Sequence, residues 1–114
     1  MTKELPIPPA TSGDARATEM IRVWLAHSDF HVSLHLGMHE DSDDSKIDER
    51  NFWGCLFADL TRHVARGMSQ SHNWDPEDTI AQIRSYYLSH LADDEVNLRG
   101  DYGDGQNSAD PNAA

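Results

Sequence analysis

Residues Met20–Leu36 read Met-Ile-Arg-Val-Trp-Leu-Ala-His-Ser-Asp-Phe-His-Val-Ser-Leu-His-Leu, and apolar side chains alternate with polar ones through two runs of this stretch. A period of two is typical of strands with one buried face. The runs predict one strand over residues 19–26 and a second over residues 30–38. The His-Ser-Asp sequence between them predicts a turn, so the two strands should form a hairpin.

The order of the apolar residues predicts how the two strands pair, because a slip of one residue would turn every apolar side chain to the other face. The predicted pairs are Leu25 with Phe30, Val23 with Val32, and Ile21 with Leu34. His27 and Ser28 are not residues that two-residue hairpin turns favour, which predicts a four-residue loop from Ala26 to Asp29. The reverse face of the hairpin then carries Arg22, Trp24, His31, Ser33 and His35.

Two amphipathic helices are predicted after the hairpin. The first should begin with Asp44 or Ser45 as its N-cap, after an acidic loop over residues 39–45. The second has Asp75 as N-cap and Pro76 at the first helical position. Its apolar stripe is Ile80, Ile83, Tyr87, Leu88 and Leu91. The predicted core combines the hairpin with the first helix. It consists of Val23, Val32, Leu34, Trp53, Leu56, Leu60 and Val64.

A second stripe of the first helix contains only small residues at helical spacing: Gly54, Ala58, Thr61 and Ala65. Glycine inside a helix costs about 1 kcal/mol against alanine, so it usually has a packing reason. The small-residue stripe therefore predicts that another helix approaches closely there, and a chance run of small residues is the alternative.

The fold class predicted from these elements is α+β, a β-hairpin followed by two amphipathic helices (ββαα), which dimerisation could complete because two strands alone are marginally stable. The 114 residues divide into an extended proline-rich lead (1–13), a single α+β domain (14–96) and a disordered tail (97–114). Leu5 and Ile7 of the lead are expected to lie across the domain surface. One cysteine allows no internal disulfide.

Three short motifs in this order resemble a small bacterial family, domain of unknown function 5076. They are Ile-Arg-Val-Trp-Leu-Ala at residues 21–26, His-Val-Ser-Leu at residues 31–34, and Phe-Ala-Asp-Leu-Thr-Arg-His-Val-Ala at residues 57–65. The resemblance covers about residues 4–92. It implies this α+β fold and a bacterial cytoplasm, but neither an activity nor any site residue.

The candidate catalytic and metal-binding residues fail on geometry. His31 and His35 lie about 13 Å apart along a strand, too far for one metal ion to bind both. In the acidic loop, the calcium-binding pattern starting at Asp41 lacks the required glycine and the final glutamate. One helix face carries Cys55, Asp59 and His63. A thiol nucleophile needs its base within hydrogen-bond reach, but Asp59 lies between Cys55 and His63. No catalytic residue, metal site or cofactor is therefore predicted, and a surface Asp59–His63 pair is expected.

The formal net charge of −11 argues against nucleic-acid binding, and no apolar run predicts a signal peptide or membrane span. We expect a non-enzymatic, acidic cytoplasmic protein that forms a homodimer and acts through protein–protein contacts. The alternatives are an adaptor or chaperone for a basic client, and an enzyme or metal-binding protein with histidines at its interface. The predicted interface residues are Trp24, His31, His35, Gly54 and Ala58, with the hairpin favoured over the acidic tail.

Overall fold

The computed structural model describes residues 3–37 and 48–102, and the chain divides into two compact units. The first unit combines residues 1–36 with residues 98–114 and contains a small sheet. The second spans residues 37–97 and contains two helices. The assignment of residues 14–96 to one domain stays a prediction.

The first unit contains the hairpin, with strand β1 at Ile21–Ala26 and strand β2 at Asp29–Leu34. The two strands are antiparallel, and Val23 pairs with Val32. The pairs Ile21–Leu34 and Leu25–Phe30 also form as predicted, so the register is confirmed. The second strand ends four residues earlier than the sequence predicts.

The turn of the hairpin differs from the prediction. Ala26 pairs with Asp29, so the loop contains only His27 and Ser28 instead of four residues. Both loop residues have positive φ, 52° and 64°, as in a type I′ turn. This turn matches the twist of the strands, and that match outweighs the poor preference of histidine and serine for the left-handed region.

A third strand, β3, consists of Gly100 and Asp101 and runs parallel to β2, which gives the sheet order β1-β2-β3. The prediction that a disordered tail begins at residue 97 is wrong for these two residues. The Val32 amide donates a hydrogen bond of 3.0 Å to the Arg99 carbonyl oxygen. Residues 103–114 of the predicted tail lie outside the described residues.

The substitution Gly100→Ala should detach β3 from β2. A Cβ atom at this position would lie 2.5 Å from both the Val32 carbonyl oxygen and Val32 Cγ2, and the backbone oxygen cannot move away cheaply. We expect faster hydrogen exchange of the Val32 amide in this variant. Asp101→Ala is the matched control, because residue 101 is exposed and keeps the Cα pairing with Ser33. Unchanged exchange in Gly100→Ala would contradict the close approach.

The second unit contains helix α1 at Glu49–His72 and helix α2 at Pro76–Leu91. Asp48 caps α1, so the predicted N-cap at Asp44 or Ser45 is wrong and the helix begins later. The start of α2 is confirmed: the Asp75 carboxylate accepts a hydrogen bond from the Asp78 amide, and Pro76 is the first helical residue. Asn73 ends α1 with φ of 59° and leaves a short connection to α2.

The two helices pack against each other where they are joined. Ala65 of α1 is only 1% exposed, and Thr79 in the first turn of α2 is also buried. Thr79 donates its hydroxyl proton to the Asp75 carbonyl oxygen, which satisfies the buried polar group. Ala65 is the only buried apolar residue among those described, and it lies at the end of the small-residue stripe.

The α+β class and the order ββαα are confirmed, with β3 added. None of the seven residues of the predicted core is buried, so their assignment to a buried core is wrong. In the sheet, the face predicted to be covered is the more open one: Val23, Leu25 and Phe30 are 53%, 70% and 71% exposed. Among the described residues, no helix is long and apolar enough to cross a membrane.

Candidate functional site

An open groove of about 650 Å³ runs between α1 and α2 and is the first candidate site. Its lining is Gly54, Phe57, Ala58, Leu60, Thr61, Arg62, Val64, Ile80, Ile83, Arg84 and Tyr87. Three of the small-residue stripe's four members belong to this lining, whereas Ala65 is buried. We call this cavity the helix groove.

The side chains of the helix groove suit contact with apolar groups. Phe57, Leu60 and Val64 keep between 42% and 50% of their surface exposed. Large apolar side chains that gather in a concave surface usually mark a place where another molecule binds. Arg62 and Arg84 add guanidinium N–H donors to this apolar lining.

Two arginines line the helix groove, although the chain as a whole is acidic. Arg62 forms an ion pair with Asp59, with 2.7 Å between Nη1 and Oδ1. No ion pair joins Arg84 to another residue in the described part of the chain. Neither arginine is predicted as a site residue from the sequence, although both lie beside apolar positions of their helices.

Gly54 does not support a close helix approach. A Cβ atom built at Gly54 meets nothing within 4 Å, and the same holds for Gly67 of the same helix. We expect Gly54→Ala and Gly67→Ala each to raise the free energy of unfolding by about 0.5–1 kcal/mol, because alanine favours the helix. Urea denaturation of both variants measures this. A loss at Gly54 alone would show that another helix does pack there.

A second cavity, of about 640 Å³, lies between β1 and the lead. The lining comprises Lys3 to Pro8, Glu19 and Ile21 to Ala26. Arg22 holds the lead, because its Nη1 lies 2.9 Å from Glu4 Oε2 while Nη2 lies 3.0 Å from Glu19 Oε2. Hydrogen bonding to Glu19, followed by the charges of Glu19 and Glu4, raises the pKa of Arg22. We call this cavity the edge trough.

The lead is not extended throughout, since Pro9–Thr11 form a short 3-10 turn. Leu5 and Ile7 line the edge trough but are 84% and 66% exposed. Trp24 also lines the edge trough and is half-buried.

The sheet histidines do not assemble into a metal site. The Nε2 atom of His31 lies 3.1 Å from the Ala26 carbonyl oxygen and donates to it, which leaves only Nδ1 as a ligand atom. The rings of His27 and His31 have centroids 6.4 Å apart. The described residues contain no group of three or more His, Cys, Asp or Glu side chains that could hold a metal ion. The acidic loop at 39–45 lies outside the described residues.

The predicted site residues fall into two separate sets. Trp24, His31 and His35 belong to the sheet unit, whereas Gly54 and Ala58 line the helix groove. Cys55 is exposed. The expected Asp59–His63 surface pair is replaced by an ion pair between Asp59 and Arg62. Arg62 lies three residues after Asp59 on the helix, so its side chain reaches the carboxylate.

Asp48 should make a pH-dependent contribution to stability. Hydrogen bonds from the Arg50 guanidinium and then from the Arg50 amide lower the pKa of Asp48 from 3.8 to about 2. Because the folded pKa is the lower one, the stabilisation is complete above about pH 4 and is lost as the pH falls through about 2. An NMR titration of the Asp48 carboxyl should show the low midpoint, and Arg50→Gln should move it back towards 3.8. An unchanged midpoint in that variant would contradict this cause.

The comparisons with known proteins concern the fold and the family. No curated protein matches this chain. The fold is similar to that of a chain described as "a putative pyruvate dehydrogenase from the photosynthetic bacterium Rhodopseudomonas palustrus CGA009", with a TM-score of 0.63 over 83% of this chain and 88% of that chain. The two sequences are 20% identical, so this similarity shows the fold alone.

A family described as Domain of unknown function (DUF5076) matches residues 4–94. The match covers the hairpin and both helices. It confirms the resemblance that the three short motifs indicate, and the chain belongs to this family.

Proposed function

We propose that this protein is a non-enzymatic, acidic protein of the bacterial cytoplasm that acts through protein–protein contacts and assembles as a homodimer. The observation that carries the proposal is the exposed apolar face of the sheet, where Leu25 and Phe30 are 70% and 71% exposed. Fully burying a side chain of this size contributes about 1.5–3 kcal/mol, so a second copy that packs against these side chains gains stability.

The non-enzymatic part of the proposal rests on how the titratable side chains are arranged. Asp59 and Arg62 pair with each other, His31 binds a backbone carbonyl, and Cys55 stands exposed on α1. A nucleophile needs a base within hydrogen-bond reach. The Asp59–Arg62 pair and the His31 hydrogen bond offer contacts that stabilise the fold rather than a catalytic pair.

Light scattering of the full chain at micromolar concentration tests the assembly. We expect about twice the chain mass of 12.8 kDa. Leu25→Glu should shift the protein towards monomer, because it places a charge on the sheet face. Leu91→Glu is the matched control, since Leu91 is 66% exposed but lines neither the helix groove nor the edge trough. A monomeric wild-type protein, or equal effects of both variants, would refute the proposal.

A second candidate, an adaptor or chaperone for a basic client, is supported by the formal charge of −11. The test is aggregation of an unfolded basic protein and of an unfolded acidic protein at low and at high salt. The candidate requires that only the basic protein is protected and that salt removes the protection. Equal protection of both proteins would rule it out.

A further inference from the structure

The outer edge of β1 carries backbone groups that no strand in the described residues pairs with. β1 pairs only with β2, and the lead beside it forms no backbone hydrogen bond with β1 among the described residues. Pro6 and Pro8 of the lead have no N–H group to donate. Unpaired strand edges without lysine or proline are ready templates for another strand.

The hairpin register identifies which residues present these groups. The His35 amide donates to the Met20 carbonyl oxygen, and Ala26 pairs with Asp29 across the two-residue turn. Hydrogen-bonded pairs alternate with non-bonded pairs in an antiparallel ladder, so the even-numbered residues of β1 bond to β2. The N–H and C=O groups of the alternate residues therefore point outwards, and these residues are Ile21, Val23 and Leu25.

We propose, building on the homodimer suggested above, that the edge of β1 binds β1 of a second copy in an antiparallel pair centred on Val23. A two-fold axis at Val23 places Ile21 opposite Leu25 of the second copy, so all three outward residues pair with one another. An axis at Arg22 would instead pair Leu25 with residue 19 of the second copy, and an axis at Trp24 would pair Ile21 with residue 27. Residues 19 and 27 lie outside β1. The result is one continuous sheet of both copies.

The side chains of β1 are complementary to themselves in this register. On one face, the apolar side chains of Ile21, Val23 and Leu25 from the two copies form a continuous row. On the other face, Arg22 lies opposite Trp24 of the second copy, and Trp24 lies opposite Arg22 of the second copy. An arginine beside an indole makes a favourable cation–π contact, and no like charges face each other across the strands.

The lead does not block this pairing permanently. Its ion pair to β1 joins Glu4 and Arg22, whose side chains are 56% and 38% exposed, and such exposed pairs contribute little. The edge trough between the lead and β1 already separates the two segments. In the dimer the lead moves aside, while Arg22 can keep its hydrogen bonds to Glu19 of its own chain.

Disulfide trapping in the full chain tests the register. All variants carry Cys55→Ser, which removes the only natural cysteine. Val23→Cys should form a covalent dimer under mild oxidation, because a hydrogen-bonded pair has Cα atoms about 5.5 Å apart, within disulfide range. Ile21→Cys is the matched control, since its two copies would lie about 13 Å apart and should give at least about tenfold less dimer.

A mixing experiment provides a test that does not depend on Val23. Ile21→Cys mixed with Leu25→Cys should give the mixed covalent dimer, whereas each variant alone should not. Covalent dimers of Ile21→Cys alone, or a wild-type dimer that none of these cysteines traps, would overturn the register and leave the proposed homodimer standing. A monomeric wild-type protein would overturn both.

Discussion

The substitution Ala65→Phe should lower the free energy of unfolding by about 1–3 kcal/mol, because a large ring cannot fit where α1 packs against α2. Ala65 is 1% exposed and is the most buried apolar residue of the described chain. Forcing a ring into this contact would push the helices apart or strain the side chain. Chemical denaturation followed by far-UV circular dichroism measures the loss.

Ala58→Phe is the matched control on the same helix and in the same small-residue stripe. Ala58 is exposed and lines the open helix groove, so a ring there meets space. Both variants lose about 0.5 kcal/mol of helix propensity, and the difference between them isolates the packing cost. Equal losses in the two variants would mean that Ala65 is not at the helix contact.

The hairpin was predictable from the sequence because its information is local. Alternation identifies the apolar face, a slip of one residue would turn that face over, and a short loop selects the register in which Val23 pairs with Val32. Similarly, Asp75 and Pro76 determine the start of α2 through capping chemistry within one helical turn. Each of these features depends on residues that lie close together in the sequence.

The errors arise where competing local solutions differ little in free energy. Asp44, Ser45 and Asp48 can all cap a helix, and the selection of Asp48 depends on its contacts with Arg50. The turn at His27 and Ser28 is chosen by strand twist rather than by residue preference. The strand at Gly100 escaped prediction because a two-residue strand has no detectable period.

The core prediction failed for a different reason. Periodicity shows that Val23, Leu60 and Val64 belong to apolar faces, but it does not show which surface covers each face. In the structure all three remain about half exposed. Ile80, Ile83 and Tyr87 belong to the expected apolar stripe of α2, and in the structure they line the helix groove. Its arginines depend on the packing of two helices, which a single-helix pattern does not contain.

The second large effect is expected for Glu49→Ala at the start of α1. Oε2 of Glu49 accepts hydrogen bonds from the Gly37 amide at 2.7 Å and from Trp53 Nε1–H at 3.1 Å. Both hydrogen bonds are partly buried, so truncation leaves two donors without this acceptor and should cost about 1–3 kcal/mol. The lost negative charge in the first turn adds about 0.3–1 kcal/mol.

Two controls separate the hydrogen bonds from the helix-end charge. Glu77→Ala removes an acidic residue from the first turn of α2, where it is exposed, and should cost only the charge contribution. Trp53→Phe removes the indole donor, so a double-mutant cycle with Glu49→Ala should give a coupling of about 0.5–1.5 kcal/mol. The Gly37 amide, in a residue with φ of 80°, donates its hydrogen bond to the Glu49 carboxylate. Glu49→Ala should therefore also speed hydrogen exchange of the Gly37 amide. Additive losses in the cycle together with unchanged Gly37 exchange would show that Glu49 acts only through its charge.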